Sequence, residues 1–184
     1  MCFIIVKLLR RLTALVCVLA AFLKIAQAVA PTSQEYPLKA AFIYNFAMFT
    51  EWPNDASDPS DALFVIGILG EDPFGTAMDR AVEGKKIKGR PVVIKRLNWG
   101  SSLRDCHILF VSSSEKSKLA ELDHVVAGRS ILTISEGPAF AKQGGIISFF
   151  LEENKIRFEI NVEAAKRANL QLSSKLLSLA KIVK

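Results

Sequence analysis

The sequence predicts an α/β fold: a three-layer domain in which helices flank a mixed, mostly parallel sheet that ends in a late antiparallel hairpin. Three observations predict it. Helical and strand patterns alternate along residues 36–180. Residues 62–69 form a continuous apolar run rich in branched side chains, which is typical of a parallel strand buried on both faces. Residues 155–161 instead alternate between apolar and polar side chains, which indicates an antiparallel strand with one exposed face.

The first 28 residues have the order of a secretory signal peptide. Lys7, Arg10 and Arg11 precede a largely apolar run over residues 12–23, and small residues stand at the spacing of a cleavage site that ends at Ala28. This run is shorter than the roughly 20 residues that span a bilayer. We therefore expect residues 1–28 to be a signal peptide removed on export to the periplasm and residues 29–184 to form a single domain. A retained membrane anchor is the alternative.

The mature domain differs from the full chain in net charge and in cysteine content, and both bear on its function. The full chain of 184 residues carries a formal charge of +6, which alone would suggest binding to nucleic acid. The leader holds four basic and no acidic residues, so the mature domain carries +2. Because an exported domain is separated from nucleic acid, we expect no nucleic-acid partner. Two of the three cysteines also leave, so Cys106 has no intrachain partner and only a disulfide between two chains is open to it.

Helices are predicted where an apolar stripe or a capping residue occurs. The stripe of the first helix ends before Pro53, because the residue preceding a proline disfavours the helical conformation. Asp72 and Pro73 predict the start of a short helix, and Ser112 with Glu115 fits a capping box. The predicted helices cover residues 36–51, 73–83, 113–127, 162–168 and a terminal amphipathic segment around 176–180.

Strands are predicted from short apolar runs bounded by turn residues. Gly144 and Gly145 precede one run, and residues 152–154 turn the chain between the last two runs, which makes these two a hairpin. The predicted strands cover residues 62–69, 91–97, 106–111, 130–134, 146–151 and 155–161.

Seven blocks of sequence follow one another in a characteristic order over residues 35–182. They are EYPLKAAFIYNF with WP (35–46 and 52–53), FVIGILG with DPFG (64–70 and 72–75), GRPV (89–92), CHILF (106–110), GGIISF (144–149), IRFEIN (156–161) and SSKLL (173–177). Together these blocks resemble the YfiR-like periplasmic family. Seven blocks in order are more specific than any single motif, and they cover nearly the whole mature chain.

The resemblance implies a small α/β periplasmic protein without known catalysis. The best-understood member of the family represses a membrane-bound diguanylate cyclase through the periplasmic sensor region of the cyclase. That member forms dimers and is itself sequestered by an outer-membrane lipoprotein. Its regulation has been linked to disulfides, and this sequence departs from it there because Cys106 is alone.

No constellation of residues predicts catalysis, a cofactor or a metal site. Cys106 and His107 are neighbours on a predicted strand, so their side chains point to opposite faces and do not pair. Two histidines and one cysteine do not stand at the spacing of a zinc site. Gly70 and Gly75 have the glycine spacing of a P-loop, but Thr76 stands where the lysine is needed. We therefore expect a protein that is not an enzyme.

Two surfaces are candidates for binding. In open α/β sheets ligands bind beyond the carboxyl ends of the parallel strands, and the exposed face of a hairpin near a sheet edge can bind another chain. Both sets of residues could also be ordinary turns and solvated surface. The candidates for a small ligand are Glu71, Asp72, Ser112, Ser113 and Ser135, and the candidates for a protein partner are Arg157, Glu159, Asn161 and Glu163.

Two functions from different classes remain open. The first is an exported periplasmic regulator that restrains a membrane-bound signalling protein such as a diguanylate cyclase, with an outer-membrane lipoprotein and a second copy of the chain as further candidate partners. The second is a periplasmic small-solute-binding protein that uses the crevice at the carboxyl ends of the strands.

Overall fold

The computed structural model describes residues 32–53, 63–137 and 139–183. The predicted signal peptide (residues 1–28) lies outside the described residues. The described residues from 34 onward belong to one compact unit. In this part of the chain, no helix is both long enough and apolar enough to cross a bilayer.

The described residues contain two sheets. The strands are β1 (Thr50–Glu51), β2 (Phe64–Leu69), β3 (Lys86–Ile87), β4 (Arg90–Leu97), β5 (Cys106–Val111), β6 (Leu132–Glu136), β7 (Ile147–Glu152), β8 (Lys155–Asn161), β9 (Gln171–Leu172) and β10 (Lys181–Val183). β1 and β9 form a small antiparallel sheet, and the other eight strands form the main sheet in the order β10-β8-β7-β6-β5-β2-β4-β3.

The main sheet is mixed and mostly parallel, as the sequence predicts. β4, β2, β5, β6 and β7 run parallel to one another. β7 and β8 form the predicted antiparallel hairpin, in which Leu151 lies opposite Ile156 and Glu152 opposite Lys155. The predicted bounds of β5 and β8 are those observed, because turn residues flank both runs.

Helices lie between the strands along the chain. They are α1 (Thr32–Met48), α2 (Thr76–Val82), α3 (Leu119–Val126), α4 (Val162–Arg167) and α5 (Ser174–Leu177), with 3-10 helices at Ser113–Lys118 and Ala141–Gln143. The first helix was predicted over residues 36–51 but ends at Met48. Its last predicted turn is replaced by β1, where Thr50 pairs with Leu172 and its hydroxyl donates to the carbonyl of Phe46 (2.7 Å).

The larger of two apolar clusters packs α1 against one face of the main sheet. Phe46 is fully buried, and its ring lies 5.6 Å from that of Phe149 on β7 and 4.8 Å from that of Phe158 on β8. Met78 and Val82 of α2 belong to the same cluster. Burying a phenylalanine of this kind contributes about 1.5–3 kcal/mol, so α1 is held chiefly by its aromatic face.

The smaller cluster covers the opposite face, where one connection is unusual. Residues 98–105, all of which the structure describes, cross from β4 to β5 without forming a helix. Parallel strands are usually joined by a dozen or more residues that include a helix. Here the short crossover buries Leu103 and packs Trp99 against the cluster. A Cβ at Gly67 would lie 2.9 Å from Leu97 Cδ1 and 3.0 Å from the Cys106 sulfur, so the strand beneath the crossover requires a glycine.

Two further predictions about local structure were wrong. The terminal amphipathic helix predicted around residues 176–180 is only the four-residue α5, and the chain continues as β10 beside β8. The predicted capping box is incomplete: Ser112 accepts from the amide of Ser114 (3.4 Å), but the Glu115 carboxylate instead accepts from the indole N–H of Trp99. Both differences arise from contacts between segments that are distant along the chain.

Candidate functional site

The carboxyl ends of β2, β5 and β6 meet at one edge of the main sheet, which we call the carboxyl edge. The strand order β4-β2-β5 places a topological switch point between β2 and β5, the position where ligands bind in many α/β sheets. The predicted ligand residues Glu71, Asp72, Ser112, Ser113 and Ser135 all lie at this edge.

The chain itself fills the crevice between β2 and β5. The amide of Ser112 donates to the carbonyl of Leu69 (2.9 Å), and the amide of Glu71 donates to the hydroxyl of Ser114 (3.1 Å). A Cβ at Gly70 would lie 2.5 Å from Ser114 Oγ and 2.6 Å from Glu115 Cγ. The turn after β2 and the 3-10 helix after β5 are therefore in direct contact.

The Glu115 carboxylate completes this contact. It accepts from Trp99 Nε1 and lies 3.5 Å from Lys118 Nζ. The Lys118 ammonium also lies over the Trp99 ring, 5.5 Å from its centroid. The anion at the switch point is therefore neutralised by groups of the same chain.

Asp72 is held in a similar way on the β4 side of the edge. Its Oδ1 accepts from the amides of Phe74 (2.8 Å) and Gly75 (3.2 Å), and its Oδ2 accepts from Arg96 Nε (2.8 Å). The same guanidinium donates to Asp79 (2.7 Å), and this hydrogen bond holds the pKa of Asp79 below its ordinary value. Asp72 therefore stabilises the turn before α2. The prediction that it caps a helix beginning at Pro73 was wrong, because α2 begins at Thr76 and has no side-chain cap.

A buried ion cluster lies at the β6 end of the carboxyl edge. Lys39 of α1 is buried, and its ammonium donates to Glu136 (2.6 Å) and to Glu35. Burial lowers the pKa of Lys39, but the hydrogen bonds to Glu136 and Glu35 outweigh it and raise the pKa above its ordinary value. Burial and the nearby charge of Glu136 raise the pKa of Tyr36. No sequence motif pointed to this cluster, because Lys39 and Glu136 are 97 residues apart.

Most of the predicted ligand residues thus have structural partners. Ser135 is buried and donates to the carbonyl of Val111 (2.7 Å), while Ser112 and Asp72 cap the turns described above. Glu71 and Ser113 have exposed side chains. The structure brings the five residues to one edge, and their role in binding a solute stays a prediction.

Of the four residues predicted to contact a protein partner, two are exposed and two are buried. Arg157 is exposed and lies 3.7 Å from Glu152, and Glu163 is exposed and accepts from Lys166 (2.9 Å). Glu159 and Asn161 are only 3% and 5% exposed. The prediction that these two side chains lie on an exposed face was therefore wrong.

A strand that the sequence did not predict lies beside these two residues. β10 pairs with β8 in parallel and covers the backbone edge from Glu159 to Asn161. Asn161 is further fixed because its Oδ1 accepts from the amide of Ala164 (2.9 Å) and its Nδ2 donates to the carbonyl of Ala141 (2.8 Å). Only the turn end of β8 keeps the exposure that the alternating pattern indicates.

Exposed apolar side chains lie near the predicted partner residues. Leu151 on β7 is 60% exposed, Leu179 before β10 is 67% exposed and Ile182 on β10 is 50% exposed. Leu151 pairs with Ile156 and Ile182 with Ile160, so both point to the same face of the sheet. We call Leu151, Leu179 and Ile182 the hairpin-edge surface; Arg157, which pairs with Phe150, points to the other face of β8. Sequence reasoning missed its apolar members because apolar residues in strands are normally buried.

Cys106 and His107 point to opposite faces of β5, as predicted. Burial raises the pKa of the Cys106 thiol to about 11, so the sulfur is protonated at neutral pH and donates to the carbonyl of Ile108 (2.8 Å). The His107 ring stacks on Phe64 with centroids 4.6 Å apart. In the described part of the chain, no group of three or more metal-ligating side chains comes together.

A comparison with protein families settles the relationship that the sequence blocks suggest. The model of the YfiR/HmsC-like family matches residues 36–181. The chain belongs to the YfiR/HmsC-like family. The match extends from α1 to the first residue of β10, so the main sheet and both apolar clusters lie within this YfiR/HmsC-like domain. Among curated proteins, no match is found.

Proposed function

We propose that this YfiR/HmsC-like domain is an exported periplasmic regulator that restrains a membrane-bound signalling protein, such as a diguanylate cyclase, by binding its periplasmic sensor region. The family match over residues 36–181 carries the proposal. In this role the chain acts by protein–protein contact and catalyses no reaction. An outer-membrane lipoprotein that removes the domain from its target, and a second copy of the chain, are its further proposed partners.

Such a regulator works by differential affinity. It must bind the inactive state of its target more tightly than the active state, because equal affinity for both states shifts no equilibrium. A difference of about 2.7 kcal/mol would favour the inactive state roughly a hundredfold. A contact surface with a few well-buried apolar anchors can supply a difference of this size.

The hairpin-edge surface is our proposed contact region. It places three exposed apolar side chains beside a strand at the edge of the main sheet. Edge strands present unpaired backbone groups, and exposed apolar side chains next to them provide anchors for another chain. Arg157 is a separate candidate contact on the other face of β8, whereas Glu159 and Asn161 are buried.

The alternative function, a solute-binding protein that uses the carboxyl edge, has less support. The chain's own Ser114 and Glu115 occupy the switch point, and Asp72 and Ser135 are engaged in hydrogen bonds of the fold.

Capture from membranes tests the proposal. The exported protein, immobilised, is expected to enrich one membrane signalling protein with a periplasmic region. Leu151→Asp should reduce the captured amount at least tenfold, because it places a charge in the apolar contact. Val125→Asp is the matched control, since Val125 is an exposed apolar residue on α3.

Equal capture by both variants would exclude the hairpin-edge surface as the contact. Enrichment of no membrane signalling protein would contradict the regulatory function itself.

A further inference from the structure

A cavity of about 710 Å³ opens at the amino ends of the parallel strands, opposite the carboxyl edge. We call this side the amino edge. Val65 at the start of β2, Cys106 at the start of β5 and Ile131 before β6 line the cavity. Its volume lies within the range of about 300–1,000 Å³ that is typical of small-molecule sites.

The helix-free crossover between β4 and β5 borders this space. Residues 103–105 of the crossover line the cavity, together with Lys95 of β4 and with Gly128 and Arg129 of the connection before β6. Where a helix would cover the sheet in most parallel connections, a short segment of turns leaves room beside it. The cavity therefore follows from the connectivity of the strands.

The cavity lining is strongly cationic. Among its described residues, Arg90, Lys95, Arg104 and Arg129 carry positive charge, and Asp105 is the one carboxylate. The Asp105 carboxylate lies 3.9 Å from Lys95 Nζ, and both side chains are exposed, so this ion pair is weak. Four cations around one concave surface raise the local concentration of anions.

The four cations differ in what holds them. The Arg90 guanidinium lies 3.1 Å from His107 Nε2 and over the Phe64 ring, which fixes it at the wall of the cavity. Arg104 and Arg129 are exposed, and neither forms an ion pair with any carboxylate that the structure describes. These two guanidiniums can donate to an oxyanion without breaking an internal ion pair.

Apolar side chains complete the lining. Trp52 and Leu103 are buried with one side toward the cavity, Ile131 is buried beside them, and Leu63 is exposed. Sites for small organic ligands combine apolar walls with a few charged groups that fix the orientation of the ligand. This combination favours an anion that has an apolar part over a bare inorganic ion.

We propose that the amino-edge cavity binds a small organic anion, a phosphate or carboxylate attached to an apolar body, through Arg104 and Arg129. Guanidinium groups recognise both oxyanions by bidentate hydrogen bonds. The site is separate from the hairpin-edge surface and does not depend on the regulatory role. The same oxyanion chemistry occurs in a free solute and in an anionic lipid headgroup, and the experiment distinguishes these two sources.

Calorimetric titration of the exported protein tests the site with phenyl phosphate, inorganic phosphate and benzyl alcohol. Phenyl phosphate is expected to bind saturably, more tightly than inorganic phosphate, with an affinity that falls as salt increases. Benzyl alcohol should not bind measurably, because it lacks the charge. A second arm measures binding to phosphatidylglycerol vesicles and to phosphatidylcholine vesicles.

The decisive comparison is between two double variants with the same change in charge. Arg104→Gln with Arg129→Gln should weaken anion binding at least tenfold. Arg80→Gln with Lys116→Gln removes two exposed cations from α2 and the 3-10 helix, outside the cavity, and should bind like the wild type. Thermal melting of both double variants checks that each is folded.

Binding of phenyl phosphate that is lost in the first double variant supports the site with a free solute as its ligand. Binding only to phosphatidylglycerol vesicles, lost in the same variant, supports the site with a lipid headgroup as its ligand. Absence of binding in both arms, or equal behaviour of the two double variants, would overturn the proposal.

Discussion

The two edges of the main sheet both carry charged side chains, but their partners differ. At the carboxyl edge Asp72 pairs with Arg96, Glu115 with Lys118, and Lys39 with Glu136. At the amino edge Arg104 and Arg129 point into a cavity and have no ion pair with a described carboxylate.

The difference follows from the connections between strands. At the carboxyl edge the turn after β2 packs against the 3-10 helix after β5, and together they fill the crevice. At the amino edge the crossover into β5 has no helix over residues 98–105, which are fully described, and space remains. A position at the carboxyl edge of an α/β sheet is thus not enough to identify a ligand site. The polar groups there must also be free of structural partners.

Lys39 provides the largest expected contrast between the edges. Lys39→Ala would leave the partly buried Glu35 and Glu136 without their cation and should lower the free energy of unfolding by about 1–3 kcal/mol. Lys95→Ala at the amino edge removes an exposed lysine and should change it by less than about 0.5 kcal/mol. Urea unfolding measures both, and Lys39→Arg tests whether a cation restores stability. Similar losses for the two alanine variants would contradict the contrast.

A pair of glycines sharpens the contrast in packing. Gly70 and Gly128 both have positive φ, +89° and +69°, so alanine strains the backbone at either position by about 1–2 kcal/mol. At Gly70 the added Cβ also meets Ser114 and Glu115, whereas at Gly128 it meets nothing within 4 Å. We expect Gly70→Ala to cost about 2–4 kcal/mol of unfolding free energy and Gly128→Ala only the backbone strain. Equal costs in chemical denaturation would show that the carboxyl edge is not filled.

The pH dependence of stability at Cys106 tests whether water is excluded from the buried side of the cavity. Because burial raises the pKa of this thiol to about 11, the folded state keeps the proton while the unfolded state loses it above about pH 9. The contribution of Cys106 to stability is therefore complete below pH 9 and is lost as pH rises to 11, by about 2–3 kcal/mol. Unfolding of wild type and Cys106→Ala at pH 8 and pH 11 isolates this loss from that of other groups. A stability difference between the two proteins that is independent of pH would indicate a solvated thiol.

The smallest expected contrast is between the effects of two charged side chains, Asp72 and Arg104, on stability. Asp72→Ala removes the acceptor of two turn amides and an ion pair and should destabilise the fold by about 1–2 kcal/mol. Arg104→Gln removes a cation that faces other cations and should leave stability within about 0.5 kcal/mol of wild type. Thermal melting at low and high salt measures both. A destabilising Arg104→Gln would mean that this guanidinium serves the fold.

Local sequence signals could predict most strands of the main sheet but not every strand that pairs with them. The apolar runs of β2 and β5 and the alternation in β8 reflect which faces are buried, because apolar residue types occur mainly at buried positions. β10 is different: it pairs with Glu159 and its neighbours on β8, but it is a three-residue strand whose sequence follows a leucine-rich helical pattern. A strand this short is specified by its pairing rather than by its own composition.

For the candidate sites, too, the sequence predicts local features but not the contacts between distant segments. The sequence correctly placed Asp72, Ser112 and Ser135 at one edge, because the ends of parallel strands follow from the order of elements. It could not show that Ser114, Glu115 and Arg96 fill that edge, since these contacts link separate connections. The amino-edge cavity was also beyond local prediction, because it arises from the absence of a helix in the crossover that borders it.

The level of cyclic-di-GMP in cells tests the regulatory function most directly. Deletion of the gene should raise this level severalfold, and wild-type protein or Val125→Asp should restore it, whereas Leu151→Asp should not. The control is a chain without residues 1–28, which should fail to restore the level because it is not exported. An unchanged level of cyclic-di-GMP after deletion would contradict the proposal that this domain restrains a diguanylate cyclase.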